Sequence, residues 1–283
     1  MKSIIATTDF SDSAANALQY AAALASAAKA RLVLYNAFPY PVVTDMPTEV
    51  MKEFVNQIAE EQFRKLREIK DNLVREYGIE VSCLAQAGSV TSDLEEIVQR
   101  EQADLVVMGL IGANPAINVL MGSNTTAILR KGRIPLLIVP QSASFRTPRR
   151  ILFACSDPFI QNAAMLQPAK EIATLFSADI EILMISEPQQ VNKPFQDPRP
   201  SNLEEHFRNI KHQYTFEMSG SVRESILNAM HESKADMIVM VPHHHSIWPY
   251  LFGKSDTLSV ALQSTIPMLV LAENVAPSTA SEA

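Results

Sequence analysis

Ala103-Asp104-Leu105-Val106-Val107-Met108 recurs as Ala235-Asp236-Met237-Ile238-Val239-Met240, 132 residues further on (103 to 235). The same displacement carries Ile134-Pro135-Leu136-Leu137-Ile138-Val139 onto Ile266-Pro267-Met268-Leu269-Val270-Leu271, and Gly88-Ser89-Val90 onto Gly220-Ser221-Val222. Upstream, Ile4-Ile5-Ala6-Thr7-Thr8-Asp9 returns as Leu152-Phe153-Ala154-Cys155-Ser156-Asp157, at a spacing of 148 (9 to 157). Ala30-Arg31-Leu32-Val33-Leu34 keeps that spacing against Ala178-Asp179-Ile180-Glu181-Ile182. Five matches at two spacings identify an internal duplication. The second copy is shorter by 16 residues (148 against 132), and the loss falls between Ser186 and Gly220.

Within the first copy, short apolar runs read as buried strands: Ser3 to Thr7, Arg31 to Ala37, Val81 to Gln86, Asp104 to Met108 and Leu136 to Val139. Helical patterns separate them. Ser11 to Ala28 is alanine-rich with Ser11 or Ser13 as its cap, and Thr48 to Tyr77 is long and charged. Thr91 to Gln102 and Ser123 to Arg130 complete the set. Strands that are apolar throughout, each followed by a helix, predict a parallel sheet covered on both faces. The expected units are residues 1–140 and 149–272, joined by a polar linker at 141–148 and followed by a disordered tail at 273–283.

Composition narrows the function. Of the 283 residues 47% are apolar, enough for two ordinary cores, and the net charge of −7 argues against a nucleic-acid surface. The basic runs Lys131 to Arg133 and Arg146 to Arg150 read as solvated turns. Two cysteines, Cys83 and Cys155, suit a reducing compartment. The sequence shows no secretory leader and no apolar run near the ~20 residues of a membrane helix, so a soluble, cytoplasmic protein without membrane partners is expected.

One segment carries chemistry. Gly109-Leu-Ile-Gly112, then nine residues, then Gly122-Ser123-Asn124-Thr125 follows directly on a strand. Gly109 and Gly112 permit a sharp turn with no Cβ in the way of a ligand, and Gly122 opens a helix whose free N–H groups suit an anion. Ser123, Asn124 and Thr125 add short polar side chains beside those groups. Asp9, just past the first strand, belongs at the crevice where such sheets bind ligands, with a carboxylate suited to a ribose hydroxyl or a metal. Each glycine alone is explained by a turn; the combined spacing favours a nucleotide.

This spacing resembles the ATP-binding signature of the universal stress protein family. Thr8-Asp9-Phe10-Ser11 resembles that family's first strand end, and Arg133-Ile134-Pro135-Leu136-Leu137 its run into the last strand. The similarity extends over both copies to about Glu273, so the chain resembles a tandem member. It implies two Rossmann-like doubly wound α/β domains, each a five-stranded parallel sheet with helices on both faces. It further implies that the two domains pair with each other as an intramolecular pseudo-dimer, and that a homodimer of chains is open. It assigns Asp9 to ribose and Mg2+, the backbone of Ala37 to adenine, Gly109 and Gly112 to ribose and phosphates, and Gly122, Ser123 and Asn124 to phosphates. Asn124 departs from a residue that is usually small and aliphatic or threonine, Thr7 from a usual proline, and Asn36 from a frequent histidine.

The second copy lacks the cradle. At a spacing of 132, Gly109, Gly112 and Gly122 become Val241, His244 and Lys254, with Gly253 one place away; Asp157 persists. A partner role for this copy is the leading expectation. The apolar and aromatic stretch Ile247, Trp248, Tyr250, Leu251 and Phe252 leaves a different ligand as a rival. His243-His244-His245 reads as structural or solvent-facing, since consecutive residues diverge and further metal ligands are missing at useful spacing. Cys155 aligns with Thr7 at a strand end. The expected function is a stress-response module that binds ATP or a related adenine nucleotide in its first copy, non-catalytic or at most a weak ATPase. A slow ATP hydrolase or nucleotidyl-transfer enzyme and a ligand-free scaffold are the alternatives; no Walker-type glycine spacing or evident general base supports the enzyme.

Overall fold

Strand β1 (Ser3–Thr7) is buried along its whole length. Its side chains alternate between two cores: Ile4 and Ala6 face one, Ile5 the other. Such a strand requires helices on both sides, and the chain supplies them in turn. The computed structural model describes residues 1–41, 47–110, 123–155, 160, 162–186, 201–241 and 256–272. In the first half β1, β2 (Arg31–Phe38), β3 (Val81–Ala87), β4 (Leu105–Leu110) and β5 (Leu136–Pro140) alternate with α1 (Asp12–Ala28), α2 (Thr48–Tyr77), α3 (Val90–Arg100) and α4 (Ser123–Lys131). In the second half β6 (Arg150–Cys155), β7 (Asp179–Ser186), β8 (His212–Met218), β9 (Met237–Met240) and β10 (Met268–Val270) alternate with α5 (Gln167–Phe176), α6 (Ser201–His206), α7 (Val222–Ser233) and α8 (Asp256–Gln263).

The fold is a Rossmann-like, doubly wound α/β arrangement. Residues of α1, α2 and α5 build one core, and residues of α3, α4, α7 and α8 build the other, on the opposite face. Each half contributes five parallel strands, in the orders β3-β2-β1-β4-β5 and β10-β9-β6-β7-β8. The halves join edge to edge through β5 and β10, which run antiparallel and make one ten-stranded sheet. Leu137 lies opposite Leu269, its own counterpart at the spacing of 132. Ile138 lies opposite Met268 and Leu136 opposite Val270, so the seam is self-complementary about the central leucine pair.

The segment after β5 is anchored rather than free. The Asn16 side-chain amide donates to the carbonyls of Pro140 (3.0 Å) and Ala143 (2.8 Å). Phe145 packs edge-on against Tyr20 of α1, with ring centroids 5.0 Å apart, and lies 6.1 Å from Phe176 of α5. The N-terminal ammonium pairs with Glu171 of α5, a further tie between halves. Lys131 and Arg133, expected as solvated, both reach Glu95 of α3, at 3.3 and 3.2 Å.

Strand pairing corrects the alignment of the halves by one residue. Asp104 accepts from the backbone N–H groups of Lys2 and Ser3, and its counterpart Asp236 from those of Arg149 and Arg150. Ile4 pairs with Leu105, and Ile151 with Met237. Ile151 and Phe153 then share the core face of Ile4 and Ala6, while Leu152 falls with Ile5. β6 therefore matches β1 at a spacing of 147 (4 to 151), not 148. Cys155 takes the place of Thr8 rather than Thr7. Residues 156 and 157 lie outside the described residues, as do the segment 187–200, the histidines 243–245, the aromatic stretch 247–252 and the tail 273–283.

Leu137 and Leu269 are fully buried at the seam. Leu137→Ala and Leu269→Ala each remove about 2–5 kcal/mol of unfolding free energy. Their mirrored positions make the two losses similar, a result read by urea denaturation followed by circular dichroism.

Candidate functional site

The order β3-β2-β1-β4-β5 makes β1 the strand from which the chain winds outward in both directions. The gap between β1 and β4 at their carboxyl ends is thus the switch-point crevice. Register places the expected residues along it. Thr7 pairs with Tyr35 and Ala6 with Val107, so Asp9, two residues past Thr7, stands level with Ala37 and with Leu110, next to Gly109. Ala37 is half-buried and Asp9 exposed.

Local hydrogen bonds fix Asp9. Its Oδ1 accepts from the backbone N–H of Ser11 (3.0 Å) and from the Ser11 hydroxyl. Ser11 is itself the cap of α1, accepting from the N–H of Ala14 at 3.3 Å, which settles the choice between Ser11 and Ser13. Between them Phe10 adopts a left-handed backbone (φ +64°), and its N–H donates to Thr8 Oγ1 at 3.0 Å. That conformation costs a bulky residue about 1–3 kcal/mol. The turn holds one carboxylate oxygen and leaves Oδ2 without a protein donor among the described residues. The amino terminus of α1 follows immediately, so its dipole favours negative charge at this edge.

Gly109 has a different reason than the turn expected for it. It lies inside β4, paired with Val139. A Cβ there would come within 2.4 Å of the Ser13 carbonyl oxygen and 3.1 Å of the Ala14 nitrogen, both backbone of α1. The glycine lets a helix start lie directly on a strand end. The second half shows the converse: Val241 stands at this place, buried, and the first helix has withdrawn. At a spacing of 147 from Asp12 it would start near residue 159, yet α5 starts at Gln167, after a 3-10 turn at Ala163–Leu166.

The other wall is α4. The hydroxyl of Thr125 donates to the carbonyl of Gly109 at 2.9 Å, tying the first turn of the helix to the end of β4. Thr125 was expected as one of several ligand donors; its hydroxyl is committed to the scaffold and positions the others. Ser123 begins the helix and Asn124 is exposed beside it. Gly112 and Gly122 lie outside the described residues. Asp9, Ala37, Gly109, Ser123 and Asn124 are all brought to the same sheet edge.

Beneath the crevice sit two groups that sequence reasoning did not assign. The Asn36 amide donates to the carbonyl of Thr8 at 2.8 Å, a buried link between β2 and β1. In the second half the corresponding pair is Met184 and Cys155, with sulfur atoms 3.3 Å apart. The signal was present in the repeat but hidden by the one-residue register shift. On the opposite face Tyr35 is fully buried; burial and then Asp93 push its phenol upward, against the opposing Arg100. Burial also raises the Cys83 thiol, which lies on β3.

A switch-point crevice with a fixed carboxylate and two helix starts lies at the sheet edge of a doubly wound α/β fold, here in tandem form. Residues 1–140 match the model of the universal stress protein family. A universal stress protein of Synechocystis is 26% identical over 95% of this chain and 99% of its own length. One from Methanocaldococcus jannaschii is 22% identical over 49% of this chain and 81% of its own. The crystal structure of a universal stress protein from Archaeoglobus fulgidus covers 96% of this chain and 98% of its own, with a TM-score of 0.76 at 18% identity, a likeness of fold. Through residues 1–140 the chain belongs to the universal stress protein family.

Among the described residues no three His, Cys, Asp or Glu side chains cluster as a metal site, and no helix is long and apolar enough to cross a membrane.

Gly109→Ala is expected to lower the stability of the ligand-free protein by about 1–3 kcal/mol, because the added methyl meets helix backbone. Urea unfolding without nucleotide checks it; a glycine serving only phosphate approach leaves that stability unchanged.

Proposed function

We propose that the chain binds one adenine nucleotide, ATP, at the carboxyl edge of its first half, and acts as a nucleotide-dependent module rather than an enzyme. The observation that carries this reading is the convergence of Asp9, Ala37 and Gly109 at one level of the switch-point crevice, beside the start of α4. Asp9 Oδ2 takes a ribose hydroxyl or a Mg2+ ion. The helix starts of α1 and α4 favour the anionic phosphates. Asn124 lies beside the amino end of α4, where it serves the phosphates with Ser123, and Gly112 and Gly122 complete the cradle.

Residues 1–140 and 149–272 act as two units that pair through β5 and β10 as the subunits of a dimer pair. The self-complementary seam supports this reading. The second unit buttresses the first: Val241, buried where the first half has Gly109, supports loss of the cradle there. A cytoplasmic stress response in which ATP alters contacts with other proteins fits the family.

Protein purified without added nucleotide and analysed by mass spectrometry is expected to carry ATP or ADP, and calorimetry to show one saturable ATP site per chain. Gly122→Lys, the residue at that place in the second copy, abolishes the site while circular dichroism stays unchanged. A folded, unmodified chain that neither retains nor binds adenine nucleotide overturns the reading.

A further inference from the structure

Buried polar atoms without a hydrogen-bond partner are rare in folded proteins, because each forgoes its bonds to water and gains nothing in return. Two of those in this chain, Asn36 Oδ1 and Thr126 Oγ1, belong to elements that border the proposed nucleotide crevice, β2 and α4. Asn36 directly precedes Ala37 at the end of β2 and is 4% exposed. Thr126 lies in the first turn of α4, next to the Thr125 anchor, and is 8% exposed.

The duplication supplies an internal control. β2 matches β7 from Arg31 and Asp179 onward, and α4 matches α8 at the spacing of 132. The counterparts of Asn36 and Thr126 are therefore Met184 and Leu258, both buried. The same fold thus accepts a thioether and a hydrocarbon at these two places, where neither leaves a polar atom orphaned. The scaffold does not demand the polar groups. They persist in the half that keeps Gly109, and are absent from the half that has Val241. Local rules of burial are broken in natural proteins chiefly where a ligand repays the breach.

We infer that Asn36 and Thr126 read the nucleotide. This rests on the ATP-binding reading of the first half. The Asn36 amide nitrogen is committed to the Thr8 carbonyl at 2.8 Å, which fixes the amide orientation and leaves Oδ1 as a pure acceptor beside the place of the base. A fixed acceptor there selects a base with a donor, the exocyclic amine of adenine, and rejects one that presents a carbonyl oxygen, as guanine does. Thr126, on the α4 wall, donates its hydroxyl to a phosphate oxygen. Asn36 is thus a specificity residue, and Thr126 a contributor to affinity without base preference.

Calorimetric titration of the full chain with ATP and with GTP tests both roles, alongside the thermal midpoint of each ligand-free protein. The unmodified chain is expected to prefer ATP over GTP by at least tenfold. Asn36→Met lowers ATP affinity at least tenfold and removes most of the preference; Thr126→Val lowers affinity for both nucleotides alike. The ligand-free midpoint of Thr126→Val stays level or rises, since an orphaned polar atom has gone, whereas that of Asn36→Met falls with the lost bond to the Thr8 carbonyl. Should Asn36→Met fail to fold, the near-isosteric Thr126→Val and the ATP-to-GTP ratio of the unmodified chain carry the test. Variants that bind ATP as the unmodified chain does, or that melt earlier with unchanged affinity, overturn the inference and assign these atoms to buried water. An unmodified chain that binds ATP and GTP equally overturns the role of Asn36. One that binds neither overturns the inference together with the nucleotide reading.

Discussion

Three residue pairs, Leu136–Val270, Leu137–Leu269 and Ile138–Met268, convert two five-stranded sheets into one ten-stranded sheet. Everything else in the molecule is arranged around that seam. Parallel strands leave both faces of a sheet apolar, so each half must carry helices front and back. The innermost edges of the two halves, β5 and β10, are each other's partner on that side. Antiparallel pairing there satisfies two sets of backbone groups at once and brings α1 and α5 to the same face, where Tyr20, Phe145 and Phe176 close the gap between them.

From that shared frame the halves have diverged in a coordinated way. Where the first half has Gly109, helix α1 begins directly on the strand end; where the second has Val241, the helix begins later, after a 3-10 turn. Where the first half links two strands by the Asn36 amide and the Thr8 carbonyl, the second packs Met184 on Cys155. Polar and close-approach features vanish together from one crevice and are kept together in the other. At that sheet end ordinary core takes their place, Val241 and Met184 both being buried.

Most of the architecture was legible in the sequence. β1 and α2 fall at the expected bounds, Ser3–Thr7 and Thr48–Tyr77, because a short β-branched run and a long charged helix ending at Gly78 leave little choice. The seam was not legible, since pairing between halves depends on which strand edge is left free, a tertiary fact. Nor was the register of β6: Thr-Thr-Asp and Cys-Ser-Asp align by eye, yet core-facing alternation moves the strand one residue. The crevice was legible as a set of residues but not as a set of reasons. Gly109 meets a backbone distant in sequence, and Thr125 spends its hydroxyl on that glycine's carbonyl. Neither partner has any local signature.

Covalent fusion across the seam has a consequence for stoichiometry. Two separate polypeptides with such self-complementary edge strands would assort into like and unlike pairs, since β5 can face its own copy as readily as β10. The segment from Gln141 to Arg149 raises the local concentration of one specific partner above that of any other. The unlike pairing is then the favoured one. Selection can accordingly act on the two crevices separately, and a loss in one is never diluted by a pair in which both have it.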